Sequence, residues 1–243
     1  TRRSSDLYYS EVKGRELYFV NEGLKVPKYG QVELVEAETS FTAYQEFQSM
    51  LTRDRIDIFM VGEFDDYQVL QALHRFPLEG RQVDLQFSYS QPYVNVVKEK
   101  IEPRQSSQSI LQLGYQFPCQ YGDKDYFALI VFNAMFGEFA HSALFTTLRE
   151  KEGLAYSISS QFDIFTGLLE VYAGIEKSNR NQAMRGISRE LNYIKLGRFS
   201  SSLLNQTKKI IRMNALLSED HSLTLVEQRF NKVIFGEDRK SVV

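Results

Sequence analysis

Between Thr39 and Leu51 the apolar residues Phe41, Tyr44, Phe47 and Leu51 recur at steps of three and four, the spacing of one helical face. Thr39 or Ser40 is placed to cap that helix. A short β-rich run ended by glycine follows, from Arg55 through Ile56, Ile58 and Val61 to Gly62, and reads as a strand. Asp65 or Asp66 then opens a helix through Val69, Leu70, Leu73 and Phe76, which Pro77 stops. From Leu78 to about Ser107 the chain is polar, with Gly80, Ser88, Ser90 and Pro92, and shows no apolar period until Tyr93, Val94, Val96 and Val97. That stretch reads as a connector followed by a strand.

The second half is more regular. Ser109 to Phe117 reads as a strand, and Pro118 interrupts it before an apolar helix from Asp125 to Phe136 that Gly137 ends. A second helix, Ser142 to Lys151, is followed by Gly153. Leu154 to Ser160 then alternates large and small residues at period two, the mark of a half-buried strand. Phe165, Thr166 and Gly167 turn the chain into Leu168 to Ile175, so the two runs form a hairpin whose Leu169, Val171 and Ala173 share one face. Three closing helices carry Ala183, Ile187, Leu191 and Ile194, then Leu203, Leu204, Ile210 and Ile211, then Leu223, Val226, Phe230 and Val233. Asn179, Ser200 and Asp220 are their candidate caps. The predicted fold class is α+β, an antiparallel-rich sheet with helices packed on one face. The strands of the second half are too few to close a sheet domain, so the chain reads as a fragment truncated at both ends.

Composition narrows the partners. Lys and Arg number 29 against 31 Asp and Glu, a formal net charge of −2, so no nucleic-acid footprint is expected. The longest apolar stretch, Tyr126 to Phe136, is about half a bilayer crossing and predicts a buried helix rather than a membrane segment. Thr1 to Ser5 is basic with no apolar segment behind it, unlike a signal peptide. The single cysteine, Cys119, has no partner for an internal disulfide or a zinc-type pair, which points to a reducing compartment and the cytoplasm.

The run from Gly137 to Ser157, with Ser142, Leu144-Phe145, Arg149-Glu150-Lys151 and Gly153-Leu154-Ala155-Tyr156, resembles the segment "Gly-Gly, Ser-x-Leu-Phe, Arg-Glu-Lys-x-Gly-Leu-Ala-Tyr" in the second domain of insulinase-type (pitrilysin-like, processing-peptidase-like) zinc metallopeptidases. Agreement extends to the Ile56 to Gly62 run, Gly167 and the three closing helices, covering about Tyr29 to Gly236. Glu138 stands where the pattern has a second glycine, and Ala143 where a basic or small residue often precedes Leu-Phe. The resemblance implies a repeated α/β unit, two units making half of a clamshell that encloses a peptide chamber. Residues 1–76 would be the terminal helix-strand-helix part of the preceding unit, 77–92 a connector, and 93–243 the C-terminal peptidase domain.

Peptide hydrolysis in that family needs zinc on an inverted His-x-x-Glu-His helix with a distal glutamate. His74, His141 and His221 each lack a second histidine three to five residues away, so no catalytic or metal residue is assigned and each reads as a surface, cap or packing histidine. Zinc is expected only on an upstream domain or a partner subunit. Ser142 lacks an acid to complete a triad and is more simply a helix cap. Gly137-Glu138 lacks the lysine of a phosphate loop.

The resemblance assigns substrate binding to Arg149 and Tyr156, seven residues apart, which would reach toward the active site of a facing unit. A guanidinium and a phenol are suitable donors to a peptide carbonyl or oxyanion. The competing reading leaves Arg149 in the solvated run Arg149 to Glu152 and Tyr156 as sheet filler. Gly30 after Lys28-Tyr29, the helix start Asn179 to Ala183, and Gln206-Thr207-Lys208 look like the inactive partner type encoded beside an active one in firmicute-like bacteria. The expected function is therefore a non-catalytic partner that helps a zinc-bearing homologue enclose peptide. The alternatives are the C-terminal half of a single active zinc metalloendopeptidase and a structural assembly scaffold.

Overall fold

The structure is a computed structural model, and it describes residues 2–76, 83, 96–104, 106, 108–119, 123–218 and 221–235. Two compact units emerge, one of Thr1–Val26 with Ser88–Asn214 and the other of Pro27–Phe87 with Ala215–Val242.

In the first unit, helix α1 (Arg2–Tyr18) and the one-turn α2 (Glu22–Lys25) precede the sheet. After three helices of the second unit in sequence, strand β1 (Ser109–Gln116) is followed by helix α6 (Tyr126–Asn133), and then by the hairpin of β2 (Ala155–Asp163) and β3 (Leu168–Ile175). The sheet runs β1-β3-β2 with both pairings antiparallel, so β3 lies in the centre. Register places Leu111 and Ile158 opposite Ala173, and Leu113 and Ser160 opposite Val171, all on one face. Because the side-chain period is two, that face collects the apolar half of each strand. Leu169, Val171 and Ala173 are fully buried there, as the alternation predicted. Phe136, Leu144, Leu148 and Ile187 cover them from the helices. Each large side chain sealed in this way contributes about 1.5–3 kcal/mol relative to exposure, which is why this face organises the unit.

The predicted α+β layer of an antiparallel sheet carrying helices is the observed one. Helix α7 (Arg180–Lys195) presents Ala183, Ile187 and Ile194 to the core, and α8 (Ser201–Ser218) starts where Ser200 accepts a hydrogen bond from the Leu203 amide at 3.1 Å. Helix α1, which the apolar pattern did not mark, adds cover on the opposite face at β1. There Gly114 lies flush under the Tyr18 ring, and a Cβ on it would come within 2.6 Å of that ring.

The second unit carries α3 (Val32–Ala37), α4 (Ser40–Arg53), α5 (Asp66–Leu73) and α9 (Ser222–Phe235), and at α4 and α5 the caps are those the sequence foretold. Thr39 and Thr42 form a reciprocal capping box at α4, and Asp65 accepts from the amides of Tyr67 and Gln68 at α5. None of the residues of α3, α4 or α5 is buried. Phe59 meets Phe230 edge to face at 6.3 Å between ring centres.

Several expectations are corrected. Residues 55–61 join no ladder among the described residues, so the run read as a strand from Ile56 to Gly62 has no regular secondary structure. β-Propensity marks a chain that fits a sheet, but a ladder needs a neighbour. Val96 and Val97 are likewise outside any strand, while Tyr93 and Val94, Pro77 and the cap Asp220 lie outside the described residues. Asn179 does not cap α7; it ends a 3-10 turn (Lys177–Asn179) with helical backbone and no side-chain bond. The helix expected from Asp125 to Phe136 is α over Tyr126–Asn133 and continues as a π-helix over Ala134–Glu138, so Gly137 does not end it, and the helix expected from Ser142 to Lys151 is π-helical over Phe145–Lys151.

Candidate functional site

Arg149 stands in the last turn of the π-helix Phe145–Lys151. The helix is stopped by bonds from the Glu152 amide to the Thr147 carbonyl at 2.9 Å and from the Leu154 amide to the Leu148 carbonyl at 2.8 Å. Gly153 makes the reversal at φ +61°, a left-handed position that suits glycine at a helix end. Leu148 and Leu144 point into the core, leaving Arg149 outward on the same turn. Its guanidinium lies 4.5 Å over the Phe145 ring, and its Nε stands 3.6 Å from Glu150 Oε1. Both contacts are local, so the side chain is steadied while remaining exposed.

Two residues after Leu154, the pairing of β2 with β3 slips: Ala155 faces Ile175, yet Ser157 already faces Gly174. Tyr156 is the extra residue of this β-bulge. Bulges re-aim a side chain and break the strict alternation, and Tyr156 accordingly stands 50% exposed between the buried Ala155 and the partly buried Ser157. Its phenol donates to Glu176 Oε1 at 2.5 Å. That hydrogen bond to a carboxylate, more than burial, pushes the Tyr156 hydroxyl above its ordinary value of 10.0. The phenol therefore stays protonated through the neutral range. Arg149 and Tyr156 emerge from one helix-to-strand connection, each with its own partner. Sequence reasoning missed Glu176, whose only signal was an acid directly after the strand that pairs with β2.

Between the two π-helices runs the loop Phe139–Ser142. Ser142 is fully buried and its hydroxyl accepts from the Phe145 amide at 3.4 Å, the cap role expected of it. His141 stacks on Phe139 with ring centres 5.6 Å apart, and its Nε2 bonds the hydroxyl of the fully buried Thr207 on α8 at 2.8 Å. Partial burial holds its imidazole below the ordinary 6.5. Glu138 accepts from Asn133 Nδ2 at 2.9 Å, and Asn133 Oδ1 accepts from the Ser160 hydroxyl at 2.7 Å. The residue that replaces the pattern's second glycine is thus built into a polar chain linking helix to sheet.

His141 is engaged as a packing residue, His74 ends α5, and His221 lies near Thr224 before α9. These donors belong to separate elements and do not fit a zinc ion. Among the described residues no three His, Cys, Asp or Glu side chains gather to hold a metal. A hollow of about 480 Å³ lined by Phe127, Val131, Met135, Ile194, Phe199 and Leu204 includes neither Arg149 nor Tyr156. Among the described residues no helix is long and apolar enough to cross a membrane.

Residues 43–211 match the family described as Peptidase M16 inactive domain. The chain belongs to the peptidase M16 family. The stretch Gly137 to Ser157 that carried the insulinase-type resemblance lies inside the match, and the resemblance stands. The chain is 34% identical over 232 residues to the "Probable inactive metalloprotease YmfF" of Bacillus subtilis (strain 168), covering 93% of this chain and 54% of that protein. It is 24% identical over 225 residues to the "Uncharacterized zinc protease YmxG" of the same organism, covering 90% of this chain and 54% of that one. Among solved structures, a conserved protein from Enterococcus faecalis V583 superposes with a TM-score of 0.87 at 35% identity, over 94% of this chain and 54% of that one. The chain thus spans about half the length of the curated M16 relatives it matches, and the portion present is an inactive, metallopeptidase-like M16 domain.

Proposed function

We propose that this chain is part of the non-catalytic partner of a zinc-bearing M16 peptidase, helping to enclose and hold peptide while the partner supplies the metal. The observation that carries this reading is the match of residues 43–211 to the family's inactive domain, in a chain whose histidines are committed to separate elements. Similarity to a relative named as a probable inactive metalloprotease supports it. Arg149 and Tyr156 are the substrate-binding groups: both are exposed, polar-tipped and delivered by one helix-to-strand connection. The lone Cys119 favours the cytoplasm. On this reading residues 1–76 close a preceding unit, 77–92 connect, and 93–243 form the C-terminal domain.

The similarity to a relative named as a zinc protease favours a second reading, the C-terminal half of one active enzyme. The test is cleavage of a quenched peptide, with zinc content, by the full-length parent protein alone and mixed with its nearest zinc-bearing homologue. Activity only in the mixture supports the partner reading, and zinc with activity in the protein alone replaces it. In the mixture Arg149→Ala is expected to lower kcat/KM by about ten- to a hundredfold, the loss of a charge-assisted hydrogen bond. No change with either Arg149→Ala or Tyr156→Phe would leave a structural scaffold instead.

A further inference from the structure

The formal charge of −2 conceals an asymmetry along the chain. Residues 177–218 hold nine of the 29 Lys and Arg but only one of the 31 Asp and Glu, Glu190, so the rest of the chain is acidic. Helices α7 and α8 lie in this stretch, joined by the turn at Leu196 to Ser200. Glu190 is buried and committed to Arg189, and Arg180 has its own partner in Glu99. Among the described residues no acid pairs with Lys195, Arg198, Lys208, Lys209 or Arg212, and all five are exposed.

The joint between the two helices is braced. Gly197 takes φ +70°, and two bonds close the end of α7: the Gly197 amide donates to the Ile194 carbonyl at 2.9 Å, and the Arg198 amide to the Tyr193 carbonyl at 2.8 Å. A left-handed glycine of this kind ends a helix while satisfying its last carbonyls. The turn holds Leu196 out at 65% exposure, with Lys195 and Arg198 on either side. One exposed leucine is ordinary on any surface; this one is the tip of a fixed turn set among cations. The hollow of about 480 Å³ lies against the same turn, since Ile194 and Phe199, which bracket it, line the hollow together with Leu204 and Lys208 of α8. Lys208 is therefore close to the turn in space, and Arg212 follows four residues on, along the same side of α8. One surface thus joins a projecting apolar tip, an apolar recess and a group of uncommitted cations.

Three kinds of anionic partner carry the complementary charge. Nucleic acid is held by cations on its phosphates and by hydrogen bonds or stacked rings on its bases, which leaves the tip and the recess unused. A protein presents acids at fixed places, and these five cations have no side-chain bond among the described residues to hold them in matching positions. A lipid surface offers anionic headgroups in a fluid plane over an apolar layer, so it needs no fixed pairing and accepts an apolar tip below the headgroups.

We propose that the turn between α7 and α8, with the basic side of α8, is a docking surface for an anionic membrane: Leu196 enters the headgroup layer while Lys195, Arg198, Lys208 and Arg212 meet the lipid phosphates. Attachment is peripheral, as befits a chain in which no described helix is long and apolar enough to cross a bilayer. Neither Arg149 nor Tyr156 takes part, so the surface is separate from the peptide-binding assignment.

The test is co-sedimentation of the full-length protein with vesicles of phosphatidylcholine alone and of phosphatidylcholine with about one-third phosphatidylglycerol, at low and at high salt. Binding is expected only to the anionic vesicles, and it should fall steeply as salt screens the charges. Each cation near the surface is worth about fivefold in partitioning, so Lys208→Gln combined with Arg212→Gln should weaken binding about twenty-five-fold. Leu196→Ser should weaken vesicle binding about tenfold and leave binding to heparin, a soluble polyanion, unchanged. Lys28→Gln combined with Arg75→Gln removes the same charge from exposed positions of the second unit and should change vesicle binding by less than about twofold.

No binding to anionic vesicles at low salt would overturn the inference, and so would equal weakening by the Lys28 and Arg75 pair. Leu196→Ser binding the vesicles as tightly as the parent would leave a general polyanion site in place of a membrane one. Failure to bind vesicles, together with loss of the complex with the zinc-bearing homologue when Lys208 and Arg212 are replaced, would make the surface a protein interface instead.

Discussion

Replacing Gly137 with alanine drives a methyl group into β2. A Cβ at this buried position would lie 2.5 Å from Ser160 Oγ, 2.8 Å from Ser160 Cβ and 2.8 Å from the Ser160 backbone nitrogen. Ordinary contact between heavy atoms begins near 3.5 Å, so the helix and strand must separate by about 0.7 Å. The side chain of Ser160 cannot absorb this alone, because the backbone nitrogen does not rotate away. Overpacking of this kind costs about 1–3 kcal/mol. Displacing Ser160 also disturbs its 2.7 Å bond to Asn133, and both residues are buried, adding about 1 kcal/mol. Alanine's better helix propensity returns up to about 1 kcal/mol. The net expectation is a loss of about 2 kcal/mol, read as a lower urea midpoint at unchanged slope. Ser160→Gly in the same chain removes two of the three clashing atoms and should restore only part of it. A Gly137→Ala protein within about 0.5 kcal/mol of the parent would refute the close approach of this helix to β2.

Thr207→Val keeps the shape of a fully buried side chain but removes the partner of His141 Nε2, and should cost about 1–2 kcal/mol in urea unfolding. Because the His141 value is lowered in the folded state, its contribution is present above 6.5 and lost as pH falls below it, a slope that His141→Gln should remove from stability-versus-pH curves. Burial between Gln112 and Gln161 raises the Glu170 carboxyl, so its folded state holds the proton more tightly. Its stabilising contribution is therefore full below 4.5 and lost as pH rises through the raised value; Glu170→Gln should flatten that part of the curve. Leu148→Ala, at a fully buried position beside Gly186, should cost about 2–5 kcal/mol in the same assay.

What local pattern writes into the chain and what it leaves out divide along a physical line. Where one face of an element is buried, its period is written in the chain: Leu169, Val171 and Ala173 alternate because a pleated strand permits no other way to bury them. Helices α7 and α8 were legible for the same reason, and the caps Thr39, Asp65 and Ser200 because capping is a local bond. Helix α1 was missed: Arg2 to Tyr18 is strongly polar, and its contact with the sheet is made through the glycines Gly14 and Gly114 rather than an apolar stripe.

The amino-acid sequence by itself determined the family, the α+β class, the hairpin and the candidate pair Arg149 and Tyr156, since each depends on residue types at short spacings. Tertiary structure alone decided the rest. Whether Ile56 to Gly62 becomes a strand depends on a neighbouring edge, which no local pattern encodes. The slip in register at Tyr156 depends on how β2 meets β3. The partnership of Tyr156 with Glu176, twenty residues away, exists only once that slip has turned the phenol toward the end of the central strand. Long-range pairing fixes which atoms a side chain meets, and no local pattern in the chain carries that information.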